Sequence, residues 1–187
     1  MKKVLILVAS NSETSINREL GTYVAKQLQA KIELLDMLAF DELPLYSARR
    51  QDEGFPDAVL KFFEQLKQFD GVVIVSPEHN GSVPAVFKNL IDWTSRLDMK
   101  FLGQKPVMLL STSPGKNGGS TNLATLASLV PWWGARLIGR LSIGSYFEKM
   151  NRETQSLEPE TALALKTLTT QFENILTSIP IETLSVA

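Results

Sequence analysis

Three polar segments hold most of the residues in this chain that could do chemistry. The first is Ser10-Asn11-Ser12-Glu13-Thr14-Ser15-Ile16-Asn17. Hydroxyls, amides and backbone N–H groups gather there, just ahead of a helical pattern. The positive end of a helix dipole favours an anion at such a place, a phosphate above all. Ser10, Ser12, Ser15, Ile16 and Asn17 are the candidate contacts. The segment lacks the glycines of the dinucleotide fingerprint and the Gly-Lys-Ser/Thr of a P-loop. Ser and Asn before a helix are also ordinary caps; the density of small donors favours the phosphate cup.

The second segment is Ser76-Pro77-Glu78-His79-Asn80-Gly81-Ser82-Val83-Pro84. Turn chemistry accounts for Pro77, Asn80 and Gly81, and Pro84 stands where a helix would begin. Turn chemistry does not require this segment to follow a buried strand. Placed there, its backbone N–H groups can meet the polar edge of a planar ring. His79 could serve as a general acid or base, but its neighbour Glu78 is the one carboxylate in view, so a solvent-facing or stacking role is the stronger reading. The third segment, Ser111-Thr112-Ser113-Pro114-Gly115-Lys116-Asn117-Gly118-Gly119, again follows an apolar run. Its glycines let backbone approach a ligand closely; the bland alternative is a loose crossover loop.

Such a site is rich in neutral donors and poor in acids, bases and nucleophiles. It is ill equipped for hydrolysis or acyl transfer and well equipped to hold a cofactor that carries the hard chemistry. A planar redox cofactor bearing a phosphate fits: the first segment takes the phosphate, and the other two bracket the ring. Cysteine is absent, which removes disulfides, thiol catalysis and cysteine metal sites. A single histidine leaves a Ser-His-Asp triad or a multi-histidine metal site with one ring to build on. No metal site is expected. The net charge of -1 and pI near 5.9 suggest no electrostatic grip on nucleic acid or anionic membrane.

The elements that position these segments can be read from periodicity. Val4–Ala9 is a continuous apolar run of strand length, too short for a secretory core or a membrane span, so a cytoplasmic protein is expected. Ile16, Leu20, Tyr23, Val24 and Leu28 recur at helical spacing, and Lys31–Leu35 is a strand candidate. Residues 36–56 read as irregular. Ala58 to Phe69 form a second helical stripe, Val72–Val75 a buried strand, and Val83 to Leu97 a third helix. Val107–Leu110 and Ala135–Ile143 read as strands around a helix at 120–130; Leu163, Leu168, Phe172 and Ile175 lie on a last helix. Strands without polar interruption are buried on both faces. Alternation with helices implies right-handed crossovers and a five-stranded parallel sheet in an α/β three-layer sandwich. Ligands of such folds sit beyond the carboxyl ends of the strands. At 187 residues one domain is expected over 1–187. Trp132 and Trp133 are adjacent, so they cannot share one helix face; one is expected in the core and the other at an interface or pocket wall.

The combination of Ser15-Ile16-Asn17, Pro77-Glu78-His79-Asn80-Gly81-Ser82-Val83-Pro84, Lys88-Asn89-Leu90-Ile91-Asp92-Trp93 and Ser113-Pro114-Gly115 with Gly118-Gly119 resembles the NADPH-dependent FMN reductase family over roughly residues 3–145. The resemblance implies a flavodoxin-like fold and bound FMN. It assigns Ser10, Ser15 and Asn17 to the phosphate loop, Pro77, Glu78, His79, Asn80 and Gly81 to the flavin-ring loop, and Ser113 and Gly115 to the ring's other side. It further implies ping-pong transfer of a hydride from NAD(P)H through FMN to a small acceptor: a quinone, free flavin, azo dye or chromate. A homodimer is implied, with a tetramer as the alternative. Three positions depart from the family pattern. Ala9-Ser10-Asn11-Ser12 stands for Gly-Ser-x-Arg, His79 for a tyrosine, and Thr121 for an arginine that supports a tetramer contact in some members. The alternative function is a flavodoxin-like FMN electron carrier without NAD(P)H oxidation, disfavoured by the near-zero net charge. A receiver-type signalling domain lacks its aspartate, since Ser76 stands at the end of the third strand.

Overall fold

The computed structural model describes residues 1–178. Five strands form one parallel sheet: β1 (Lys3–Val8), β2 (Lys31–Asp36), β3 (Gly71–Val75), β4 (Pro106–Thr112) and β5 (Arg136–Ile143). Their order is β2-β1-β3-β4-β5. The crossovers carry α1 (Ile16–Ala25), α2 (Ala48–Asp52), α3 (Asp57–Lys67), α4 (Ala85–Leu97) and α5 (Ser120–Leu129). After β5 come α6 (Tyr146–Lys149), a two-stranded hairpin of β6 (Met150–Asn151) and β7 (Ser156–Leu157), and α7 (Pro159–Ser178).

Side chains alternate across a strand, and here the alternation divides the interior into two cores. Leu5, Leu7, Val72, Ile74 and Leu109 face α3, α4 and α5, where Phe62, Leu66, Phe87, Leu90 and Leu126 meet them. Val4, Ile6, Val8, Val73, Val75 and Met108 face α1 and α7, meeting Leu20, Val24, Leu165 and Phe172. The central strands β1, β3 and β4 are therefore apolar on both sides, which is why they read as unbroken runs. Each fully buried side chain of this kind contributes roughly 1.5–3 kcal/mol. The Val4–Ala9 run is strand β1, paired on both edges. Among the described residues no helix is long and apolar enough to cross a membrane.

Several local readings are corrected. Residues 36–56 are not wholly irregular: a 3₁₀ turn spans Met37–Phe40, capped by Asp36, and α2 follows. Pro84 is the N-cap of α4 rather than its first helical residue. The motif residues Asn89 and Trp93 serve structure. The Asn89 amide accepts from the Tyr46 N–H and donates to the Leu43 and Pro44 carbonyls. The Trp93 indole donates to the Pro44 carbonyl at 2.7 Å. One face of α4 thus holds the 43–46 segment against the core. Of the paired indoles, Trp133 is 8% exposed and joins the core, whereas Trp132 is 77% exposed.

Candidate cofactor site at the carboxyl edge of the sheet

The three polar segments leave the carboxyl ends of β1, β3 and β4, which are consecutive neighbours in the sheet. Because all three strands run the same way, their loops emerge side by side. They do so at the β1/β3 boundary, where the strand order reverses and where open α/β sheets place ligands.

In the first loop, Ser15 is the N-cap of α1 and its Oγ accepts from the Arg18 N–H at 3.3 Å. The buried Ser10 Oγ accepts from the Ser12 N–H, also at 3.3 Å. Each hydroxyl keeps its own proton to donate. Among the described residues, the N–H groups of Glu13, Thr14, Ser15, Ile16 and Asn17 meet no protein acceptor, as expected of a helix start. The Arg18 guanidinium is paired with Asp36. Asn17 is buried, and its amide makes a reciprocal pair with the Thr112 backbone, donating to the carbonyl and accepting from the N–H at 3.0 Å each. Its side chain therefore ties the first loop to the third, leaving its backbone N–H for a ligand. Ser12 is exposed and Ile16 half-buried.

The second loop is a tight hairpin at its tip. His79 and Ser82 exchange both backbone hydrogen bonds at 3.0 Å. Asn80 and Gly81 between them have φ of 51° and 72°, the type I′ geometry that Asn-Gly favours. His79, Asn80 and Gly81 are exposed, and a Cβ on Gly81 would meet nothing within 4 Å. Pro77 and Glu78 are half-buried. The Glu78 carboxylate accepts from the Asn122 N–H at 3.0 Å, in the first turn of α5. It is thus a helix cap, drawn to the positive end of that dipole.

The third loop is clamped rather than loose. Ser113 N–H donates to the Ile143 carbonyl, Ser145 N–H to the Gly115 carbonyl, and Tyr146 N–H to the Ser113 carbonyl. The Ser142 hydroxyl donates to the Asn117 carbonyl. A Cβ on Gly144 would lie 2.1 Å from the Lys116 carbonyl oxygen, so only glycine permits this approach. The Ser113 hydroxyl donates to the Gly115 carbonyl, and Gly115 itself is exposed.

Sequence reasoning missed the supports behind these loops. Buried Asn122, Ser76 and Ser111 underlie the second and third; the two serines stand in the quoted segments, but nothing in the spacing marks Asn122. Tyr146 is fully buried, and its hydroxyl donates to Glu19 Oε2 at 2.9 Å. Arg152 grips the same carboxylate at both oxygens. Burial first, and Glu19 second, push the Tyr146 hydroxyl above its usual pKa. Arg152, in the hairpin segment, is thereby tied to α1. A cleft of about 400 Å³ lies between α1 and this segment, lined among others by Ser15, Arg18, Tyr23, Lys26 and Met150. It touches the candidate site along the first loop, at Glu13, Thr14 and Ser15.

The description "NADPH-dependent FMN reductase" fits residues 2–148 of this chain. The chain belongs to that family. It is 41% identical over 119 residues to a quinone reductase of Escherichia coli K12, a match covering 63% of each protein, short of two thirds of the relative's length. It is 30% identical over 158 residues to the NADH:(hydroxy)cinnamate reductase subunit CrdA of Vibrio ruber, covering 82% of this chain and 77% of that one. Among solved structures, the flavoenzyme NAD(P)H:(acceptor) oxidoreductase FerB of Paracoccus denitrificans superposes with a TM-score of 0.79 at 24% identity, over 95% and 98% of the two chains. That likeness establishes the flavodoxin-like fold.

Family membership implies a flavin and a nicotinamide nucleotide, and the donor set fits a flavin phosphate. The first loop offers consecutive unspent N–H groups and two hydroxyls at a helix start. No cation stands among residues 9–17, so dipoles would hold the anion. The rims at Gly81 and Gly115 are open, with nothing within 4 Å and only the Ser113 hydroxyl at 4.0 Å, respectively.

Proposed function

We propose that this chain is an FMN-dependent NAD(P)H oxidoreductase that reduces a small acceptor of the quinone class. The observation that carries the reading is the adjacency of three loops rich in neutral donors on β1, β3 and β4. Bound FMN would supply the two-electron chemistry, taking a hydride from NAD(P)H and passing the electrons to the acceptor. The chain's part is binding and orientation. Ser10, Ser12, Ser15 and the N–H groups through Ile16 and Asn17 hold the phosphate. Pro77, Glu78, His79, Asn80 and Gly81 border the ring on one side, Ser113 and Gly115 on the other. With Glu78 spent on α5 and Glu13 exposed in the first loop, away from the two segments that border the ring, no protein acid or base is assigned to the transfer.

The reading extends to a single FMN-binding domain over 1–187, of which 179–187 lie outside the described residues. It also extends to a homodimer and to the cytoplasm. The likeness to the Escherichia coli quinone reductase supports a quinone as the first acceptor to try.

The test is to purify the protein, record its visible spectrum, reconstitute it with FMN and follow NAD(P)H oxidation with a benzoquinone. Expected are flavin uptake and quinone-dependent turnover. No uptake overturns the reading, and uptake without NAD(P)H oxidation leaves an electron carrier in its place.

A further inference from the structure

Asn122 is fully buried, the third residue of α5. Its Nδ2 donates to three acceptors of the second loop: the Ser76 carbonyl at 3.2 Å, the Ser76 hydroxyl at 2.8 Å and the Pro77 carbonyl at 2.9 Å. Its own backbone N–H is held by the Glu78 carboxylate at 3.0 Å. Three successive residues of the second loop thus end on one residue of a helix more than forty positions away in the chain. The cost is visible beside it. Asn122 Oδ1 and Ser111 Oγ are buried without a hydrogen-bond partner among the described residues, a condition native proteins seldom tolerate without a reason. Deviations of this kind gather at functional sites.

The consequence follows from peptide geometry. In a trans peptide the carbonyl and the following N–H point to opposite sides. With the Pro77 carbonyl drawn inward to Asn122, the Glu78 N–H is turned outward. It has no protein acceptor among the described residues. The preceding position offers no such donor, because proline has no N–H. The next one, the His79 N–H, is spent on Ser82. Glu78 N–H is therefore the donor that the strand end presents, and Asn122 fixes its direction.

We propose that Asn122 is a positioning residue: it locks the Pro77–Glu78 peptide so that the Glu78 N–H faces the polar edge of the flavin ring. This rests on the proposed function for its ligand, though not for the lock itself. A reduced ring carries more negative charge at its polar edge than an oxidised one. A fixed N–H donor therefore favours the reduced form, and losing it weakens binding and lowers the two-electron midpoint potential.

The experiment uses two variants. Asn122→Asp keeps the shape and removes both side-chain donors, but buries a carboxylate against two carbonyl oxygens and beside Glu78, at a cost in stability. Asn122→Leu removes the donors without adding charge and separates the two effects. In the apo proteins, ¹⁵N relaxation is read at Glu78, and amide exchange at β1 and β3. The expected result is a Glu78 amide more mobile than in wild type while β1 and β3 stay protected. With FMN, the dissociation constant is expected to rise about tenfold, and the midpoint potential to fall, in both variants. Ser76→Ala removes the hydroxyl's own 3.2 Å bond to the Pro77 carbonyl but leaves the 2.9 Å bond from Asn122, and is expected to stay within about threefold of wild type.

A Glu78 amide unchanged in the apo variants overturns the lock. A wild-type dissociation constant and potential in both variants overturn its role toward the ring. A Ser76→Ala loss as large as that of Asn122→Leu assigns the hold on the Pro77 carbonyl to the Ser76 hydroxyl and overturns Asn122 as the positioning residue. Failure of wild-type protein to take up FMN sinks the proposed function instead, and the apo measurement still decides the lock.

Discussion

Ser15 is placed to do two things at once. Its Oγ lone pair caps α1 by accepting from the Arg18 N–H, and its hydroxyl proton remains to be donated. Asp is as good an N-cap as Ser, so Ser15→Asp keeps the first task and reverses the second. The apo variant is expected to match wild type in thermal midpoint within a few degrees. FMN affinity is expected to fall about 10²-fold or more, because a carboxylate would face the phosphate at close range in a partly buried place. Flavin titration by fluorescence checks this; an unchanged dissociation constant would make the first loop a cap and nothing else. Ser10 and Ser15 are legible in the sequence because their types and their place before a helix carry the signal. Asn17 is legible as a site residue but not in its role. The amide is taken by Thr112, 95 positions along the chain, and no local pattern announces so distant a partner. Asn122 and Tyr146 were missed for the same reason.

Elements were legible where both faces of a strand are buried. β1, β3 and β4 announce themselves as apolar runs. The 43–46 segment is different: it is held by backbone carbonyls caught by Asn89 and Trp93, which leaves no periodicity in its own side chains. The third loop is another such case. Its paired glycines suggested freedom, but Gly119, the N-cap of α5, is fixed at φ 78° with Ser111 Oγ 2.0 Å from where a Cβ would stand. Gly119→Ala must therefore bear a left-handed backbone and a clash together, a loss of about 2–4 kcal/mol. Urea unfolding measures it. Adding Ser111→Gly is expected to return the clash share and leave the backbone share. A double variant no better than the single one would mean that the contact with Ser111 is not what excludes a side chain.

At the scale of the whole molecule, Tyr146 joins parts that the sheet alone does not connect. Its backbone N–H holds the third loop through the Ser113 carbonyl. Its ring fills the core beneath α1 and α7. Its hydroxyl reaches Glu19 on α1, the helix whose first turn makes the first loop. Tyr146→Phe removes only the last of these, and Arg152 stays to satisfy Glu19. A loss of about 1–2 kcal/mol is expected at pH 7, in the range of a hydrogen bond to a charged group. The pH dependence has a definite sign. Burial, and then Glu19, raise the folded pKa of Tyr146 above its ordinary value of 10.0. Below pH 10 both states hold the proton and the contribution is complete. Above it, the unfolded chain releases a proton that the folded chain keeps, so stability falls as pH rises. Phenylalanine has no such proton. The stability gap between wild type and Tyr146→Phe should be constant from pH 7 to 9 and narrow above pH 10. A gap that stays constant to pH 11 would mean that the hydroxyl ionises alike in both states and that Glu19 does not hold it.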